Sequence, residues 1–555
     1  MSIQTRIDTF AGDTIYTAFE KTAQRLPRQV ALKAVGGRGH SYTYEEVGAM
    51  VRQLAAGLQQ SEFASCECVG ILSENRPEWG IGYLAIVAAG RTVVPIDASL
   101  KEGEIAFIVR DAGLRLIFAS GRFEGILRAS GRDLTVFIFE ENSPHSWQQL
   151  CAEASDSKTK PGNGTAMLIY TSGTTGAPKT VELTHENILA NLNGIASALI
   201  FDEHDTFLSV LPLHHTLEAT CGFLTPLLSG STIVYARSLK SKEIFEDIAL
   251  NHVTLMCGVP LLFEKMYHSV QREIAVAPWP RRALFRILYF ISGLGWRLRQ
   301  TRGKALFAGL RNKMGMGSIR MFVSGGAALP PRVCRFFNLI GFDFVQGYGM
   351  TECSPVISVN RPGDIEFGSV GPPLDNVEVR IDNPDHKGVG EIFVRGANVT
   401  PGYRNNPEKT AELIIDGWLH TGDLGRLKNG HLWITGRKKN VIVSAAGKNI
   451  YPEELEERLL ESPYVLEAVV FGRPKQGRHG EEVRALLVPD LKQAQADGHV
   501  CADKADKKRL EEVLGSVVRE VNDRVADYKR IAGFDIRLEE LEKTSAKKVK
   551  RFLYK

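Results

Sequence analysis

Tyr170 to Lys179 reads Y-T-S-G-T-T-G-A-P-K, directly after the short apolar run Ala166 to Ile169. Threonines, a serine, two glycines and a terminal lysine cannot build a hydrophobic core. They do supply hydroxyls, tight backbone turns and one ammonium, a combination suited to surrounding a polyphosphate. The spacing excludes a Walker A loop, which needs G-x-x-x-x-G-K-[ST]; here the glycines are Gly173 and Gly176, and Lys179 follows Pro178. A Thr/Gly-rich surface turn remains the other reading of the stretch taken alone.

Working outward, the flanking chain alternates helix and strand. Val47, Met50, Val51, Leu54 and Leu58 recur at helical spacing, and Cys68 to Leu72 is a run of strand length. Helical stretches near 76–89 and 102–112 then alternate with apolar runs at Thr92 to Ile96 and Leu114 to Ala119. This pattern predicts α/β layers around mostly parallel sheets. Residues 152–164 read as a linker rich in turn formers. A β-rich stretch spans about 370–435, and beyond 436–450 the pattern changes scale. There, 451–460 and 507–528 look helical, while Leu466 to Phe471 and Val483 to Val488 look like strands. The expected architecture is a large N-terminal domain of layered α/β subdomains with a β-rich subdomain, followed by a small mobile C-terminal α+β domain. The expected boundaries are 1–436, a hinge at 437–440, and 441–555.

The 555 residues exceed what one hydrophobic core serves. Their composition, 44% hydrophobic and 24% charged with mean hydropathy −0.11, is that of a globular protein. A formal net charge of +4 argues against organisation around nucleic acid. The eight cysteines show no zinc-ligand spacing and read as buried, reduced thiols. The N-terminal MSIQTRIDTFAGDTIYTAF has no apolar run of signal-peptide type, so a cytoplasmic location is the expectation. Residues 278–304 place a short apolar centre among Arg281, Arg282, Arg286, Arg297, Arg299, Arg302 and Lys304. That segment reads either as a core helix with a solvated basic face or as an amphipathic segment making peripheral contact with an anionic membrane.

Other stretches join the first one. They are Leu211 to Thr220 (LPLHHTLEAT), Ser324 to Pro330 (SGGAALP), Gln346 to Glu352 (QGYGMTE) and Gly390 to Gly396 with Gly402-Tyr403. Further on come Gly417 to Gly425 (GWLHTGDLG), Gly436 to Glu456 and Lys543 to Arg551 (KTSAKKVKR). Together they resemble, over nearly the whole chain, the signature set of the AMP-forming adenylate-forming superfamily that includes the acyl-CoA synthetases.

The resemblance implies a role for each matching position. Thr171, Ser172, Gly173, Thr174, Thr175, Gly176 and Lys179 would form the phosphate loop. Gly325, Gly326, Ala327, Gln346, Gly347, Tyr348, Gly349 and Thr351 would line the adenine and acyl-adenylate sites, with Glu352 holding Mg2+ through a hard oxygen. Asp423 would accept the ribose hydroxyls, and Arg437 would meet ribose or phosphate. Lys439 is the hinge position. Gly447 would leave room for the incoming thiol of coenzyme A. His214 and His215 would border the acyl pocket, one of them structural, because neighbours on a strand face opposite ways. Aligning Thr544, Val549 and Arg551 makes Lys548 the catalytic lysine of the C-terminal motif.

The implied chemistry is attack of a carboxylate on ATP to give acyl-AMP and pyrophosphate, then displacement of AMP by coenzyme A. A fatty acid is the expected substrate, with an alicyclic or aromatic acid as the alternative. Two rivals stand beside this: a fatty-acyl-AMP ligase loading a carrier protein, and a catalytically silent binding protein. Three departures from the family pattern bear on them: Thr180 where the family has glycine, Glu542 for proline and Lys547 for glycine. Lys543 to Lys555 also reads as a simple basic tail.

Overall fold

The computed structural model describes residues 10, 12–35, 40–60, 62–130, 133–152, 164–171, 179–298, 303–444, 448–474, 480–499, 507–543 and 549–554. The chain divides into two compact units, Met1–Val379 with Val394–Leu419, and Arg380–Phe393 with His420–Lys555.

The first unit is built on two large sheets. One has the strand order Thr135–Ile138, Leu116–Ala119, Cys68–Leu72, Thr92–Pro95, Thr165–Thr171 and Lys179–Thr184. All neighbours in it are parallel except the last pair. Every residue of Cys68–Leu72 and Thr92–Pro95 is buried, as a parallel sheet covered on both faces requires. The helices Tyr44–Gln60, Pro77–Ala88 and Glu102–Asp111 fall where the periodicity puts them. The second sheet has the order Val356–Val359, Asp343–Gly349, Met321–Ser324, Leu255–Gly258, Thr206–Ser209, Thr232–Tyr235, Val30–Ala34 and Ser41–Thr43. It too is parallel inside and antiparallel at its two outer pairs. In each sheet one antiparallel end pair, Thr165–Thr171 with Lys179–Thr184 and Asp343–Gly349 with Val356–Val359, borders one of the glycine-rich motifs.

The basic segment forms the helix Trp279–Arg297. Phe285, Leu288 and Tyr289 pack on the core around Phe336 and Phe337, and the Ser292 hydroxyl donates to the Leu339 carbonyl at 2.6 Å. The opposite face is not merely basic. Trp279 is 74% exposed and Phe290 73%, with Leu284, Ile287 and Leu294 more than half exposed beside Arg281, Arg282 and Arg286. No helix among the described residues is long and apolar enough to cross a membrane.

In the second unit a three-stranded sheet, Val465–Pro474, Glu481–Pro489 and Ile531–Ile536, is packed by the helices Pro452–Leu459 and Lys507–Asp523. Leu455, Leu459, Val470, Leu487 and Leu514 form the centre of its core. Pro at the first turn and Glu453 and Glu454 behind it start the first of these helices, as proline's fixed φ and the helix dipole favour.

Candidate active site

The opening stretch spans the tip of the antiparallel hairpin Thr165–Thr171 with Lys179–Thr184, whose ladder ends with Thr171 opposite Lys179. The Thr171 hydroxyl donates to the Lys179 carbonyl at 3.2 Å. Ser172, Gly173, Thr174, Thr175 and Gly176 lie outside the described residues. Thr180, the position where the family has glycine, is buried and pairs with Tyr170, so its β-branched side chain sits in a strand that favours it.

The second edge of Lys179–Thr184 is taken by residues 400–404. Val181 bridges Tyr403, the Glu182 amide donates to Gly402 at 3.1 Å, and the Arg404 amide donates to Thr180 at 2.9 Å. This brings the Tyr403 ring under the Lys179 ammonium, with Nζ 4.6 Å from the ring centroid. On its far side the Tyr403 hydroxyl donates to Glu352 Oε1 at 2.8 Å. Burial, then the Glu352 charge, pushes the Tyr403 phenol well above its ordinary pKa, so it remains a donor. Lysine, tyrosine and glutamate from three distant parts of the chain thus stand in a row. Sequence reading had assigned Tyr403 only a structural place; its single signal was the Gly-Tyr pair.

Glu352 lies in the turn that joins the antiparallel strands Asp343–Gly349 and Val356–Val359, which buried asparagines tie down. Asn191 Nδ2 donates to the Val356 carbonyl at 2.7 Å and Asn398 Nδ2 to the Cys353 carbonyl at 2.9 Å. Asn187 Nδ2 ties down the Ala397 and Val399 carbonyls. The Thr400 amide donates to the Glu352 carbonyl at 2.8 Å. Gly349 is obligatory here: a Cβ would lie 1.9 Å from the Pro355 carbonyl oxygen. Gln346, Gly347 and Tyr348 lie in the Asp343–Gly349 strand, with Gln346 buried and Tyr348 half-buried. Gly325 donates its amide to Gly258 at 3.1 Å, and Gly326 and Ala327 are exposed beyond the end of Met321–Ser324. The Thr351 hydroxyl accepts from Thr216 at 3.1 Å, joining this segment to the one bearing the histidines.

His214 and His215 correct the strand expectation. The strand stops at Ser209 because Asn75 takes over the next backbone groups: its Nδ2 donates to the Leu211 carbonyl at 2.6 Å, and its Oδ1 accepts from Leu213 N at 3.1 Å. The two histidines therefore lie on a turn, their rings packed 4.3 Å apart rather than facing opposite ways. His214 Nε2 is 3.4 Å from Asp97 Oδ2.

In the second unit, Asp423 and Arg437 face each other across the ladder between Trp418–Lys428 and His431–Arg437. Arg437 Nε is 2.7 Å from Asp423 Oδ1. Asp423 is buried, its amide donating to Thr421 Oγ1 at 3.0 Å. Lys439 is exposed in the turn Lys438–Asn440, and Lys438 is anchored to Glu391 at 2.7 Å. Gly447 lies outside the described residues, but its loop is closed by Val443 pairing with Asn449 and by Ser444 N donating to the Lys448 carbonyl at 3.0 Å. Lys548, with Thr544 and Lys547, also lies outside the described residues. The loop holding it is closed by a bridge between Lys543 and Val549. Arg551 docks on Glu456, whose carboxyl burial pushes up to about 7.

The family described as AMP-binding enzyme matches residues 19–404, and the AMP-binding enzyme C-terminal domain matches residues 454–548. Long-chain-fatty-acid–CoA ligase FadD15 of Mycobacterium bovis is 30% identical over 477 residues, covering 80% of this chain and 77% of its own. Indoleacetate–CoA ligase of Aromatoleum aromaticum is 30% identical over 499 residues, covering 86% and 87%. The structure of O-succinylbenzoate coenzyme A synthetase (MenE) from Bacillus subtilis, in complex with ATP and magnesium ion, superposes with a TM-score of 0.74. It is 25% identical and covers 96% of this chain and 98% of its own.

The chain belongs to the AMP-binding, adenylate-forming enzymes. Within them it is an acyl-CoA ligase, an AMP-forming acid–thiol ligase.

Proposed function

We infer that this ligase activates a fatty acid, forming the acyl-adenylate from ATP and passing the acyl group to coenzyme A. The observation that carries the catalytic part is the row Lys179, Tyr403 and Glu352 beside the hairpin tip. Similarity to a long-chain-fatty-acid–CoA ligase and the exposed apolar helix Trp279–Arg297 support the choice of acid.

In the first step a carboxylate oxygen bonds to the α-phosphorus and pyrophosphate leaves. Lys179 and the 171–176 hydroxyls and amides neutralise and orient the leaving phosphates, and Lys548 offsets the charge where carboxylate meets phosphate. Tyr403 fixes Glu352 Oε1 and carries the Lys179 ammonium on its ring face. Magnesium prefers one or two carboxylates plus substrate phosphates. Among the described residues no group of three or more His, Cys, Asp or Glu could hold a metal ion alone. Glu352 therefore fits a magnesium that arrives with ATP, where it would neutralise phosphate charge. Asp423 would accept the ribose hydroxyls and Arg437 would hold it in place for them.

In the second step the thiol sulfur bonds to the acyl carbon and AMP leaves. Reorientation about Lys439, within a hinge at 437–440 between 1–436 and 441–555, would exchange the Lys548 loop for the Gly447 loop. Gln346, Gly347, Tyr348, Gly325, Gly326 and Ala327 would line the adenine and acyl-adenylate, and His214 and His215 the acyl entrance.

A peripheral membrane contact through 278–304 completes the reading. Between Glu273 and Asp343 the chain has twelve Lys and Arg and no Asp or Glu, in a protein whose net charge is only +4. An apolar face rimmed by arginine suits an anionic lipid surface. Co-sedimentation with phosphatidylglycerol vesicles should weaken in Trp279→Ser/Phe290→Ser, while ligation of a detergent-dispersed fatty acid stays unchanged.

The second reading is an aromatic carboxylate as substrate, favoured by the indoleacetate–CoA ligase relative. Thioester formation with free coenzyme A from a panel of fatty, alicyclic and aromatic acids tests the proposal. Fatty acids should be preferred; a preference for aromatic acids replaces the substrate, and adenylate without thioester points to a carrier-loading ligase.

A further inference from the structure

Glu218 lies in the LPLHHTLEAT segment yet belongs to none of the roles above. It is fully buried at the start of a π-helical turn, Glu218–Leu224, a helix form that recurs at functional sites. Its Oε1 accepts from the Ser209 hydroxyl at 2.6 Å, while Oε2 has no hydrogen-bond partner among the described residues. Ser209 in turn accepts from Asn75 Nδ2 at 3.1 Å, the same asparagine that captures Leu211 and Leu213. Gly222 leaves the space the carboxyl fills: a Cβ there would lie 2.4 Å from its carbon. The same helical segment reaches the 351–354 turn through Thr216 to Thr351 and through the Thr220 hydroxyl to the Ser354 carbonyl at 3.1 Å.

We propose that Glu218, uncharged and acting through Ser209, is a positioning residue that holds the 209–215 turn in register with Thr351 and Glu352. The proposal rests on the acyl-CoA ligase reading of this site. A buried carboxylate without a cation is strongly disfavoured, and among the described residues no Lys, Arg or His perturbs the group. The titratable groups facing it are Cys221 on its own turn, Cys257 on Leu255–Gly258 and Tyr235 on Thr232–Tyr235. Burial raises the pKa of each of these, which keeps them neutral. Glu78 acts on Tyr235 and is paired with Arg76 at 2.7 Å.

Burial pushes the Glu218 carboxyl up to about 8. Between the ordinary value of 4.5 and about 8 the folded chain keeps a proton that the unfolded chain has lost. Stability accordingly falls as pH rises through that window and stays lower above it. The test compares wild type with Glu218→Gln, an uncharged isostere, in two measurements. In fatty-acid-dependent pyrophosphate exchange, which involves no thiol, wild type should lose activity above pH about 8, approaching tenfold per unit. Glu218→Gln should match wild type at neutral pH and hold its rate. In thermal melting, the midpoint of wild type should fall from pH about 5 to about 8 more than that of Glu218→Gln. The same alkaline loss in both proteins, parallel melting profiles, or a folded but inactive Glu218→Gln overturns the proposal. Absence of exchange in wild type with every acid instead defeats the ligase reading, and the melting comparison still decides the role of Glu218.

Discussion

Two loops of this chain end in a lysine that the proposed mechanism needs, and the structure treats their bases differently. The 172–178 loop springs from a long ladder, Thr165–Thr171 with Lys179–Thr184, flanked on both sides by further backbone. Lys179 itself belongs to that ladder and rests on Tyr403. The 544–548 loop springs from one bridge, Lys543 to Val549, steadied by the Lys550 amide on the Glu542 carbonyl at 2.9 Å and by Arg551 on Glu456. The difference teaches that Lys179 is fixed by sheet register, whereas the described residues on either side of Lys548 are joined by one bridge, one amide and one ion pair. A lysine fixed by sheet register suits phosphates that occupy one place throughout the reaction.

The sharpest break of this comparison is Lys548→Ala. Removing a charge from the developing transition state should cost on the order of 10²–10³-fold in adenylation, measured by pyrophosphate exchange. Thioester formation from supplied acyl-adenylate should stay near wild type. Lys179→Ala should cost roughly 10–100-fold in the same exchange, the loss of one charge-assisted phosphate contact, with a raised KM for ATP. Tyr403→Phe keeps the ring under Lys179 but drops the hydrogen bond to Glu352, so about a fivefold loss at low magnesium, relieved at high magnesium, is expected. Lys547→Ala should change adenylation by less than about twofold, because side chains within one catalytic unit are not interchangeable. A larger loss there than in Lys548→Ala would move the catalytic role to Lys547.

Much of this was legible in the sequence. The alternation around Cys68, Thr92 and Leu116 predicts the buried parallel sheet, because strands covered on both faces read as continuous apolar runs. Thr171 and Lys179, the ends of the stretch read as a phosphate loop, stand opposite each other where the hairpin ladder ends. Tyr403 was not legible as a neighbour of Lys179, since a bridge to Val181 over so long a stretch of chain leaves no local pattern. The histidine turn was misread as strand because Asn75, far upstream, decides where the ladder stops. In Trp279–Arg297 the periodicity predicts a helix but not which apolar residues face the core, and only packing separates Phe285 and Tyr289 from Trp279 and Phe290. Nothing local in the sequence signals that Ser209 and Gly222 enclose the Glu218 carboxyl.

The proposed mechanism adenylates a fatty acid and needs Lys548. Pyrophosphate exchange into ATP, measured for wild type and Lys548→Ala with a long-chain fatty acid as the only carboxylate, tests it most directly. Exchange that depends on the fatty acid and collapses in the variant is the predicted result. Exchange that persists undiminished in Lys548→Ala, or none in wild type, would contradict it.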